Sequence, residues 1–250
     1  MTEVSVPIIG DLEAEQLELQ AVVASIDADA WLAPTPAWGW DVRDTIAHLA
    51  DTDEMAIDTV RGGPYAINEL AAHAASGADV TYHGVLRGRR QTGRDVAAWW
   101  VRTSAAERSM LVALSPDARV PWGIGMRAPS FATARLMETW AHGLDVRTAL
   151  GIPAFDTDRL AHVAWLATRA LPYAYSVAGQ EPPTEPLRVE LSLPSGGSWT
   201  FGPKDAADRI SGAAGDYCRV FVHRRRPADT NLVIEGAAAR TAIAVARAFL

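Results

Sequence analysis

One cysteine in 250 residues, Cys218, excludes an intrachain disulfide and any zinc knuckle built from cysteines. Lysine is as scarce: Lys204 stands alone, so arginine supplies 22 of the 23 basic residues. No basic residue precedes Arg43, and Asp11, Glu13 and Glu15 interrupt the early apolar run, so the positive start of a secretory signal is missing. No apolar stretch approaches the length of a membrane span. There is no Gly-rich phosphate loop either; Gly123-Ile124-Gly125 follows no predicted strand and is too short for a dinucleotide fingerprint. A net charge of −7 argues against a sequence-independent grip on nucleic acid or anionic lipid. The expectation is a cytoplasmic protein with neither nucleic acid nor membrane as partner.

What is present is a core-forming composition, 49% hydrophobic and 21% charged. The first 150 residues read as helices. Apolar spacing predicts one from about Pro7 to Ala28, and Trp31–Trp40 (WLAPTPAWGW) must be a loop. Asp41 is the expected N-cap of a second helix running toward Val60, ended by Gly62, Gly63 and Pro64. Residues 66–88 suggest one helix and an irregular crossing, and Gln91–Leu114 a third strong helix. After a Pro- and Gly-rich loop, Arg119–Arg127, Pro129 opens a fourth helix that continues to Leu150, with Gly151 as its stop. Four long helices joined by uneven loops imply a four-helix bundle over residues 1–152.

The pattern changes after Pro153. Residues 157–178 remain helical with a break at Pro172. Leu187–Leu193 (LRVELSL) alternates and turns at Ser195-Gly196-Gly197 into Ser198–Phe201. Arg209–Ser211 and Asn231–Ile234 are further short strands, with helices near 214–224 and 236–249. The fold class is α + (α+β), the smaller α+β domain spanning 153–250.

Glu138 and His142 lie four apart on the fourth helix, about 40° apart in projection, so both can reach one point. A converging carboxylate and imidazole suit zinc or a similar divalent ion. By spacing alone such a pair is more often a surface hydrogen bond. The apolar setting of Phe131, Leu136, Met137, Trp140, Leu144 and Val146 favours the metal, because a buried carboxylate without a partner is costly. Asp145 follows three residues on and either orients His142 or adds a ligand. His48 sits beside the apolar stripe Val42, Ile46 and Leu49, where spacing alone reads it as a solvated or backbone-bonded histidine.

The runs WGWDVRDTIAHL (38–49) and RLMETWAHGLDVRTALG (135–151) resemble the DinB-like family. The nearer branch is the mycothiol-dependent maleylpyruvate isomerase and its actinobacterial metal-binding relatives. The resemblance implies an N-terminal DinB-like four-helix bundle and a C-terminal domain similar to sterol carrier proteins. It also implies a divalent metal, zinc before nickel, held by His48, Glu138 and His142 with one position open. Mycothiol is the implied cosubstrate, bound as thiolate and adding to a conjugated double bond or transferring onto a small electrophile. An arginine from Cys218–Pro227 (CRVFVHRRRP) completes such a site; Arg224 is the placement, with Arg219 and Arg225 as alternatives, to clamp a carboxylate. A solvated basic run reads equally well there. The RVPWGIGMRAPSF segment (119–131) is nearer to the uncharacterised relatives than to the isomerase.

His73, His83, His162 and His223 have no convergent partner in the sequence and read as structural or exposed. Of the pair Trp99-Trp100 one is expected in the core; Trp38, Trp40 and Trp122 either rim the metal cleft or pack at the bundle ends. Cys218 reads as a small buried apolar residue. The leading expectation is a metal- and thiol-dependent isomerase or transferase with a small-molecule substrate and a thiol as partners, monomer or homodimer. The alternatives are a binder that sequesters a metal or ligand without catalysis, and a structural or interaction protein that retains the trio without activity.

Overall fold

The computed structural model describes residues 8–73, 77–123 and 125–248. Pro7, residues 74–76, Ile124 and Phe249, on which parts of the sequence reading fall, lie outside these. The chain divides into two compact units, one ending at Ala154 and the other beginning at Phe155.

The first unit is helical: α1 (Ile8–Ala24), α2 (Val42–Arg61), α3 (Ile67–His73), α4 (Gly77–Gly88), α5 (Gly93–Ala113) and α6 (Ala128–Ala149). Helix α2 starts on a reciprocal cap, in which the Asp41 carboxylate accepts from Asp44 N–H at 2.7 Å and Asp44 accepts from Asp41 N–H at 3.4 Å. It ends at Gly62 in the left-handed region, φ 71°. Helix α6 has Pro129 in its first turn and stops at Gly151, φ 64°.

Helix α2 lies at the centre, packing on α5, α4 and α6, while α1 packs on α6 and α5. Because 14 of its 20 residues are buried, its polar residues must find partners inside the protein. Two glycines let α4 approach closely. A Cβ on Gly84 would stand 2.5 Å from the Asp51 Cβ, and one on Gly88 2.4 Å from the Ala47 Cβ.

The structure departs from the sequence reading in several places. Residues 66–88 hold two helices, α3 and α4. Within Arg119–Arg127 a short antiparallel pair forms, β1 (Arg119–Val120) on β2 (Met126–Arg127). Trp99 and Trp100 are both core residues, because α5 is covered by α2 on one side and α1 on another.

The second unit holds α7 (Leu160–Arg169) and α8 (Leu171–Val177), which opens on Pro172. A four-stranded sheet follows, built from β3 (Leu187–Ser192), β4 (Ser198–Phe201), β5 (Asp208–Ala213) and β6 (Val233–Glu235) in the order β4-β3-β5-β6. Neighbours are antiparallel except β3 and β5, which are parallel. Helix α9 (Ala214–Phe221) follows β5, and α10 (Ala237–Ala244) ends earlier than its apolar pattern suggested. Val189, Leu191, Ile210, Tyr217 and Phe221 form the core of this unit. No described helix is long and apolar enough to cross a membrane.

Candidate metal centre

Helices α2 and α6 bring His48, Glu138 and His142 to one point. The Glu138 Oε2 lies 3.7 Å from His48 Nε2 and 3.4 Å from His142 Nε2. One ligand atom from each of the three side chains falls within 4.8 Å of the others. These separations are long for charge-assisted hydrogen bonds. They suit donors sharing an ion: at about 2.1 Å from a tetrahedral metal, two donors stand about 3.4 Å apart. The donor set, two imidazoles and a carboxylate, is one that zinc-like ions accept. Among the described residues no fourth His, Cys, Asp or Glu joins the cluster.

Each imidazole is fixed differently. His142 Nδ1 faces Asp145 Oδ2 at 3.2 Å, on the side of the ring away from Glu138. This assigns the Nδ1–H tautomer and leaves Nε2 as a lone pair. His48 Nδ1 is buried and makes no hydrogen bond among the described residues. Its ring is held by packing instead, 4.8 Å from the His142 ring and 5.0 Å from that of Trp40. The Trp40 indole also stacks on His142, with centroids 6.0 Å apart and planes at 24°.

Trp40 is placed by the loop that enters α2. Thr35 N–H donates to the Trp40 carbonyl at 2.9 Å, and Trp40 N–H to that of Ala37 at 3.0 Å. Arg89 clamps this corner, donating to Asp44 and to the Gly39 carbonyl. Of the three loop tryptophans, Trp40 alone stacks on the histidines. Trp38 is 98% exposed, and Trp122 packs on Phe131.

Burial pushes the His48 imidazole below its usual range, which favours the uncharged ring. Burial opposes ionisation of Glu138, but His142 and His48 beside it outweigh that and hold its carboxyl well below the usual range. Burial likewise lowers His142, and the Asp145 and Glu138 carboxylates overcome it, leaving the imidazole raised. Without an ion, the Asp145 and Glu138 carboxylates thus favour the protonated form of His142.

Arg224 lies in the second unit, just past α9, where its Nη1 donates to the Val222 carbonyl at 2.7 Å. It lines a cavity of about 760 Å³ with Val220, His223, Arg225 and Ile243. Arg219 pairs with Asp156 and Arg225 with Asp216. His223 bonds through Nε2 to the Ala246 carbonyl at 2.7 Å. Cys218 is fully buried, and burial pushes its thiol up.

His83, read as structural or exposed, belongs to a polar cluster that holds helices together. His83 Nδ1 stands 2.6 Å from the Tyr65 hydroxyl and 3.4 Å from Asp51, which also binds Arg87. This cluster fastens α4 and the loop after α2 onto α2.

Comparison with known proteins bears on the family and the fold. The family described as "Mycothiol maleylpyruvate isomerase N-terminal domain" matches residues 12–147. Two Mycobacterium tuberculosis sequences, "Uncharacterized protein Rv0036c" and "Uncharacterized protein MT0041", are each 38% identical over 244 residues, covering 97% of this chain and 95% of the relative. Two crystal structures of the mycothiol-dependent maleylpyruvate isomerase, one of a point mutant, share the fold with a TM-score of 0.57 at 15% identity. They cover 86% of this chain and 88% of theirs.

Proposed function

This chain belongs to the mycothiol maleylpyruvate isomerase N-terminal domain family, and on that premise we propose that it is a divalent-metal enzyme working with a low-molecular-weight thiol. It isomerises, or transfers sulfur onto, a small electrophile. In this reading the first unit is a DinB-like four-helix bundle and the second is sterol-carrier-protein-like. The metal is zinc, with nickel as the other choice, and the thiol is mycothiol or a close analogue.

The carrying observation is the convergence of three side-chain donors from α2 and α6 with no fourth described donor beside them. When bound, the ion supplies a Lewis-acid position at which a thiol loses its proton near neutral pH. The chain's own groups do the rest. His48 and Glu138 offer a neutral and an anionic donor. Asp145 holds the His142 ring with Nε2 turned inward. The Trp40 indole covers the two imidazoles on one side and excludes water there. Arg224 is assigned to an anionic group of the substrate or thiol.

The geometry also bears on the non-catalytic alternative, a closed metal shell with Asp145 as fourth ligand. Asp145 faces Nδ1, the ring nitrogen opposite Nε2, so it supports His142 instead of closing the shell. The test is turnover of maleylpyruvate and a panel of small electrophiles by the zinc-loaded protein, with and without mycothiol. Thiol-dependent turnover that stops on chelation and in His142→Ala is expected. A zinc-loaded protein that turns over nothing in the presence of thiol would refute the enzyme reading.

A further inference from the structure

Beside the metal centre lies a second charged group that no membership of a family assigns. Arg135 sits on α6, one turn before Glu138, and its side chain is 3% exposed. Its Nε donates to Glu107 Oε1 on α5 at 2.7 Å. Its Nη2 donates to Asp53 Oδ1 at 2.8 Å and to Thr52 Oγ1 at 2.9 Å, both on α2. Thr103 of α5 donates to Asp53, and Gln16 of α1 to Glu107, each at 3.4 Å. The guanidinium thus joins α6 to α2 and α5, and Glu107 carries the link on to α1.

The group is wired to the ligands on both helices. Thr52 is one turn beyond His48, and its hydroxyl donates to the His48 carbonyl at 2.9 Å. Glu138 and His142 are the next two turns of α6 after Arg135. A slip of α6 by one turn along α2 would displace its ligands by about 5.4 Å relative to His48.

We propose that Arg135, through its fork to Thr52, Asp53 and Glu107, is a positioning residue that fixes the register of α2 against α6 so that His48 meets Glu138 and His142. The inference rests on the metal reading above and deepens it. Adding stability is a poor explanation for the group, because buried ion pairs seldom outperform apolar packing of the same volume, whereas fixing register is their best-attested use.

Two buried carboxyls face the one guanidinium: burial, then the neighbouring Glu107, pushes the Asp53 carboxyl well above its usual range, and burial raises that of Glu107.

The experiment loads the purified full chain with Co²⁺ and reads the visible spectrum and the affinity, with circular dichroism and thermal melting alongside. The wild-type chain binds one equivalent. Arg135→Met, of similar length and apolar, keeps the fold, loses Co²⁺ affinity by about 10–100-fold, as removal of ligand-orienting groups does, and shows an altered spectrum. Arg135→Lys keeps the charge without the fork and falls between the two. A folded Arg135→Met with wild-type spectrum and affinity overturns the positioning role. Should that variant not fold, a folded Arg135→Lys with wild-type values overturns it equally. Failure of the wild-type chain to bind Co²⁺ at all would instead refute the metal reading.

Discussion

The Asp145 carboxylate lies 3.2 Å from His142 Nδ1, and the opposite nitrogen of the same ring faces Glu138 at 3.4 Å. The imidazole is thus oriented from behind by one carboxylate while it shares a point in space with another. Removing the orienting group should loosen the ligand without deleting it. Asp145→Ala is expected to lower zinc affinity about 10–100-fold, and Asp145→Asn, which still offers an acceptor oxygen, by less. Competition with a chromophoric chelator measures this; unchanged affinity in Asp145→Ala would contradict the assignment.

Metal affinity should depend on pH through His142. Its imidazole is raised from 6.5, because Asp145 and Glu138 overcome the burial that lowers it, so an entering cation must displace a proton. His48 is lowered by burial and Glu138 is held low by the two imidazoles, so neither competes near neutrality. Log affinity is expected to rise with pH by about one unit per pH unit through and above 6.5 until His142 is deprotonated, then level off. Isothermal titration in buffers of different ionisation enthalpy reads the same proton release. A flat profile from pH 6 to 8 would contradict this.

Stability should carry the signature of Asp53. Burial and Glu107 raise its carboxyl well above 3.8, so the folded chain holds a proton that the unfolded chain loses near that value. The unfolded state then binds fewer protons, and this group's contribution falls as pH rises from about 3.8 toward the folded pKa. Asp53→Asn has no proton to lose. Its melting temperature should fall less than that of the wild type between pH 4 and 7, and match or exceed it at pH 7. A variant several degrees less stable than wild type at pH 7 would show that Asp53 is ionised in the fold.

Cys218 is predicted to be chemically silent. It is fully buried, its Sγ lies 3.7 Å from the Leu160 carbonyl, and burial pushes the thiol up. Cys218→Ala should retain thiol-dependent turnover within about twofold and cost on the order of 1 kcal/mol of stability. The native chain should resist a disulfide reagent until denatured. Loss of turnover with metal still bound would make Cys218 a participant.

Glu138, His142 and Asp145 were legible because one helix carries all three, and helical periodicity converts their spacing into a shared face. His48 was not legible that way. Its partners lie some ninety residues on, and only the likeness of WGWDVRDTIAHL to a known family linked the two segments. The helices α2, α5 and α6 were legible from caps and stops such as Asp41, Gly62 and Gly151, whose effect is local. What stayed hidden is long-range compensation. Asp53, Glu107 and Arg135 look like ordinary polar positions of amphipathic helices, and only their mutual bonds make burial tolerable. The Tyr65 contact to His83 was hidden for the same reason, since Tyr65 reaches it from an irregular segment.

The most direct test of the account is a zinc-soaked crystal measured on both sides of the zinc absorption edge. The account predicts one anomalous peak per chain, about 2.0–2.2 Å from a ring nitrogen of His48 and of His142 and from a Glu138 carboxylate oxygen, with a non-protein donor in the remaining position. A peak on other residues, or none between these three side chains at saturating zinc, would contradict it.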